Sequence, residues 1–144
     1  MSSQLRRLSL LVVLVLAAGL IASACSGGGS GSGGTVDVNI TASDFKIESS
    51  LTNFQQGVTY HFIVKNTGSV AHEVYIIAPA TGTLTSDQAK QQAIAGVGSD
   101  VLTAGSTATF DYTFTQAYPA GSLELACHVS GHYEAGMHLG IVVQ

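Results

Sequence analysis

The 144-residue sequence is short of charge. Asp, Glu, Lys and Arg make up 10% of it, against roughly 25% in an average soluble domain. Five Lys and Arg face nine Asp and Glu, a formal net charge of −4. With no basic surplus to neutralise phosphates, the reading is no nucleic-acid partner. Tryptophan is absent and there are only two cysteines, too few for a disulfide-stapled scaffold. No Ser/His/Asp spacing, phosphate-binding glycine motif or flagged carboxylate pair is present, so no enzyme is expected. The 17 glycines do not recur every third residue, which excludes collagen. The 46% hydrophobic content excludes a wholly disordered chain.

What is present divides into three segments. Arg6 and Arg7 precede an apolar run from Leu8 to Ala24, followed by Cys25. This is the pattern of a secretory signal, and Ala22-Ser23-Ala24-Cys25 resembles a bacterial lipobox. Residues 1–24 are therefore expected to be a lipoprotein signal peptide. Cys25 is the expected lipidation site, holding the rest of the chain to a membrane outside the cytoplasm. Residues 25–34 carry the lipidated cysteine and the stretch SGGGSGSGG. A glycine/serine linker of this kind is a flexible coil, reaching about 15–18 Å over nine residues. Past Ala24, three lysines face nine acids, a formal charge of −6. Such a charge favours a partner with a basic patch.

The third segment, residues 35–144, is long enough for one core. Val36, Val38 and Ile40 alternate with Asp37 and Asn39, the period of a half-buried strand. Further strands are expected at 59–65, 74–78, 108–115, 122–126 and 139–143. Asn66-Thr67-Gly68-Ser69 and Pro119-Ala120-Gly121 read as turns between them. One helix is expected at 86–95, with Ser86 as its cap. The pattern predicts an all-β fold, a Greek-key sandwich of about seven to eight strands with one short helix.

The chemistry concentrates in Cys127-His128-Val129-Ser130-Gly131-His132-Tyr133-Glu134-Ala135-Gly136-Met137, with His72 upstream. Cys127 is the one cysteine left if Cys25 is lipidated, and Met137 is the one methionine past Met1. A lone thiol in an oxidising compartment is at risk of oxidation, which burial around a metal removes. Two imidazoles, a thiolate and a distant thioether are the ligand set of blue-copper electron-transfer sites. Zinc is the competitor, although its structural sites usually take four strong ligands and rarely methionine.

These residues resemble the cupredoxins, most closely the auracyanin and plastocyanin-like small blue copper proteins. The resemblance is densest at Gly131-His132-Tyr133 and Ala135-Gly136-Met137, and extends to Val64-Lys65-Asn66-Thr67-Gly68 followed by Ala71-His72. It implies His72, Cys127 and His132 as equatorial ligands of a single copper ion, with Met137 axial. It also implies an eight-stranded sandwich, and one-electron shuttling by transient docking of redox proteins near His132. Val70, Ala71, Ala135 and Gly136 would form the docking patch. The sequence departs from the family pattern at Glu73, where Asn is frequent, at Ser130, where Pro is frequent, and at Leu125, where an aromatic is frequent.

The leading reading is a monomeric, membrane-tethered electron carrier. A copper chaperone or storage protein is the alternative. Among the remaining candidates, His61 reads as an ordinary strand residue. His128 is expected to face away from the ligands or lie at the surface, and His138 to be exposed. Tyr133, Phe110, Tyr112 and Phe114 read as packing residues, and Asp44, Glu48 and Asp111 as solvated acids.

Overall fold

A computed structural model describes residues 34–144. The expected signal peptide, the Cys25 lipidation site and nearly all of the linker lie outside the described residues. Among those described, no helix is long and apolar enough to cross a membrane.

Nine strands and one helix follow in the order β1 (Val36–Ser43), β2 (Lys46–Ser49), β3 (Asn53–Phe54), β4 (Thr59–Asn66), β5 (Val74–Ile77), α1 (Ser86–Gln92), β6 (Ala95–Val97), β7 (Thr107–Thr113), β8 (Tyr118–Ala126) and β9 (His138–Val143). They form two sheets, ordered β2-β1-β4-β7 and β3-β9-β8-β5-β6. Strands β1 and β4 pair in parallel, as do β3 and β9; the remaining pairs are antiparallel. The expected β-sandwich is what the chain forms.

The alternation read from sequence is the alternation that packs. Val38, Ile40 and Ala42 of β1 and Tyr60, Phe62 and Val64 of β4 point inward and are buried. They meet Phe54, Phe114, Leu125 and Ile141 in one core between the sheets. Its aromatic centre is tight: Phe54 contacts Tyr60 edge-on at 4.8 Å, and Phe62 stacks on Phe110 at 4.7 Å. Such pairs add about 0.5–1.5 kcal/mol each beyond the area they bury. All four residues of β5 are buried. Val74 and Ile76 enter the main core, while Tyr75 and Ile77 pack with Ala89 of α1 and Ala126. Strand β5 is thus covered on both faces, so it reads as a continuous apolar run.

Three expectations need correction. The helix ends at Gln92, not Ala95, and its cap is Thr85, not Ser86. Thr85 accepts from the Gln88 N–H, and the Gln88 side chain accepts from the Thr85 N–H, a complete capping box. Beyond the helix the chain turns extended, and residues 95–97 pair with β5 as β6. An open strand edge outcompetes another helical turn there. Second, Pro119-Ala120-Gly121 is no turn; it lies inside β8, where the pairing register shifts between Tyr118 and Leu123. Gly121 takes φ +82°, and Pro lacks the N–H for a regular ladder, so a bulge absorbs both. Third, the short strands β2, β3 and β6 raise the count to nine. Segments of two to four residues are too brief to show a period.

Candidate metal centre

His72 stands in the loop just before β5, and Cys127 follows directly on β8. The pairing of Tyr75 with Ala126 fixes the separation of those two positions. His132 and Met137 lie on the loop joining β8 to β9. That loop folds back on itself through His132 N–H to Val129 O (2.9 Å), Ala135 N–H to Gly131 O (3.2 Å), Gly136 N–H to Tyr133 O (2.9 Å) and Met137 N–H to His132 O (3.0 Å). Cys127 N–H donates to Met137 O at 3.1 Å and closes it. Gly131 and Gly136 take φ +80° and +95°, a left-handed backbone that costs glycine nothing. The loop is pinned by these bonds although Ser130 stands where a proline was the family expectation.

The result brings three donors together. One ligand atom each from His72, Cys127 and His132 lies within 4.8 Å of the other two, all three residues are buried, and the group could hold a metal ion. His72 Nδ1 and His132 Nδ1 are 3.2 Å apart, and Cys127 Sγ is 3.5 Å from His132 Nδ1. Met137 is fully buried in the core cluster that contains Cys127, with its backbone bonded to both Cys127 and His132.

The electrostatics suit a cation. Burial, then the neighbouring His132, hold His72 below the usual imidazole range, which keeps its lone pair free. Burial pushes the Cys127 thiol up, opposed by the Glu73 and Val129 N–H groups. The Glu73 N–H lies 3.4 Å from Cys127 Sγ. Such donors stabilise a thiolate once a cation replaces its proton. A soft sulfur beside two imidazoles is the donor chemistry of copper or zinc.

Other sequence candidates fall elsewhere. His61 sits on β4 and pairs with Asp111 at 2.5 Å across the strands; Asp111 is therefore a hydrogen-bond partner. Glu48 pairs with Lys46. His128 is not at the surface: it is 2% exposed and stacks on Tyr133 at 4.5 Å. His138 is partly exposed as expected, stacks on the other side of Tyr133 at 4.8 Å, and faces Glu124 at 3.2 Å. Tyr133 also donates to Glu124 at 2.7 Å, so its packing role carries a hydrogen bond. Glu73 is buried, with Ser99 donating to it at 3.4 Å. Asn66 Nδ2 donates to Val70 O and Leu102 O, which ties the loop before β5 to the segment before β7.

Asp44 also departs from the sequence expectation. Asp44 is no free solvated acid: its carboxylate accepts from Ser69 N–H and Oγ and approaches His72 Nε2 to 3.4 Å. Residues 28 apart in a strand–turn–strand pattern carry no spacing that announces this.

Among solved structures the chain is similar to auracyanin from Roseiflexus castenholzii, with TM-score 0.57 and 18% identity over 78% of this chain and 98% of that one. It is also similar to auracyanin A from Chloroflexus aurantiacus, described as a "blue" copper protein, with TM-score 0.54 and 22% identity over 77% and 100%. Rusticyanin from Thiobacillus ferrooxidans follows at TM-score 0.52 and 17% identity, over 77% and 79%. The chain has the cupredoxin fold. No family model matches it. Among curated proteins, a copper-resistant cuproprotein CopI from Rubrivivax gelatinosus is 29% identical over 113 residues, 74% of this chain and 66% of that protein. The chain thus spans just under two thirds of that relative's length. In this cupredoxin fold, the buried His-Cys-His group lies where β5 and β8 end together.

Proposed function

We propose that this chain is a type 1 copper protein that carries single electrons outside the cytoplasm, tethered to a membrane through Cys25. The observation that carries the reading is the convergence of the His72, Cys127 and His132 donors within 4.8 Å in a buried site. In this reading His72, Cys127, His132 and Met137 would hold the copper ion. Bound copper supplies a one-electron couple between Cu(I) and Cu(II). The chain's own part is to hold the donors still. Thiolate and thioether satisfy the softer ion and imidazole satisfies both, and the hydrogen-bonded loop keeps one geometry for the two charge states. His132, at 8% exposure, reaches nearest the surface of the three and is the exit for the electron. Exposed Val70 and Phe45 give partners an apolar landing area for brief contact.

The test is the visible spectrum of the chain loaded with Cu(II). An intense charge-transfer band, bleached by ascorbate and absent in Cys127→Ser, supports the reading. A colourless protein that binds only Cu(I) contradicts it. That outcome favours the second reading, a copper chaperone or storage protein, for which the likeness to a copper-resistance cuproprotein speaks.

A further inference from the structure

The two-residue turn between β1 and β2 consists of Asp44 and Phe45, with Ser43 paired to Lys46 across it. Phe45 is the one non-glycine among the described residues with positive φ, at +63°. Ordinary residues avoid this left-handed conformation, so a bulky residue there is a genuine outlier. Its ring meets His132 edge-on at 5.2 Å. The other turn residue faces the other imidazole, since Asp44 Oδ1 lies 3.4 Å from His72 Nε2. One tight turn therefore touches both histidines.

The approach of Asp44 to His72 is built, not incidental. His72 is fully buried, and its Nε2 has no hydrogen-bond partner within the protein. Its other ring nitrogen faces His132 Nδ1 and the sulfur site. A cation on Nδ1 leaves the ring proton on Nε2, and Asp44 Oδ1 stands 3.4 Å from that atom. Asp44 is held in place by two bonds from Ser69. Gly68 makes the room: a Cβ there would sit 2.5 Å from Asp44 Oδ1 and 2.5 Å from His72 Nε2. Any side chain at 68 would wedge the pair apart.

We propose that Asp44 is a positioning residue for the metal, its carboxylate orienting the His72 ring and making its Nδ1 a stronger donor. This rests on the copper reading above. A negative charge behind an imidazole raises its basicity and stabilises the higher charge on the metal side. Asp44 thereby favours Cu(II) over Cu(I) and lowers the reduction potential.

The test loads the full chain with copper and measures reduction potential and Cu(II) affinity in wild type, Asp44→Asn and Ser69→Ala. Asn has the same shape and can still accept a hydrogen bond at this half-exposed position, so the fold is kept. Asp44→Asn should weaken Cu(II) binding about tenfold with Cu(I) binding little changed, which is a potential higher by about 59 mV. Ser69→Ala, which loosens the loop without removing the charge, should shift the potential by less than half as much. An unchanged potential in Asp44→Asn, or equal shifts in both variants, overturns the proposal. A wild-type chain that takes up no copper overturns the copper reading and this inference together; a blue wild type indifferent to Asp44 overturns this inference alone.

Discussion

His72 and His132, sixty residues apart in sequence, face one another through their Nδ1 atoms at 3.2 Å. That spacing lets the two imidazoles share a proton in a hydrogen bond or turn both nitrogens to one cation. The same atoms lie close to Cys127 Sγ, whereas His61 pairs with Asp111, His138 faces Glu124 and His128 stacks on Tyr133.

Met137→Leu should keep copper and its colour but raise the reduction potential. The thioether is a weak donor to Cu(II), and Leu removes it at nearly constant volume. The fold should lose under about 1.5 kcal/mol. Cyclic voltammetry and urea unfolding check the two halves of this expectation separately.

Gly68→Ala should be disproportionately costly for so small a change. The added methyl would meet Asp44 Oδ1 and His72 Nε2, each at 2.5 Å. Overpacking of this kind costs about 1–3 kcal/mol, and here it also displaces a proposed ligand. Denaturant unfolding should show the loss, with weaker copper binding in competition titrations. A variant as stable as wild type, with unchanged affinity, would contradict the packing described for Gly68.

His61→Gln should leave copper uptake and spectrum intact, because its ring faces Asp111 on the outer side of β4. An exposed side-chain pair of this kind is worth about 0–1 kcal/mol at most, so stability should fall by no more than that. Loss of the visible band in this variant would overturn the ligand assignment.

These assignments show what the sequence carries and what it hides. The long strands were legible because each has one buried face and a clean period of two, as in β1 and β4. The Cys127–Met137 loop was legible because its chemistry is packed into eleven residues. What stayed hidden depends on pairings between distant segments. Residues 93–95 look helical until the edge of β5 offers hydrogen bonds to Ala95 and its successors. Pro119 and Gly121 look like a turn until the strand bulges through them. Asp44 looks solvated until the turn carries it to His72. His128 looks like a surface neighbour of Cys127, yet it lies under Tyr133.

Alkaline pH should expose the burial of Tyr75. Its phenol is pushed up to about 12, first by burial and then by Glu73 and the acids at 100 and 87. An unfolded tyrosine ionises near 10. Between those values the unfolded chain binds fewer protons than the folded one, so stability falls as pH rises. The contribution is about 2–3 kcal/mol across the window. Urea unfolding at pH 9 and 11 should show a steeper loss for wild type than for Tyr75→Phe; equal losses would contradict it.

The most direct measurement is anomalous diffraction at the copper edge from crystals of the loaded protein. The account predicts a single peak bounded by the Nδ1 atoms of His72 and His132 and the sulfur of Cys127, with Met137 nearby. A peak at His128 or His138 instead, or none near Cys127, would contradict it.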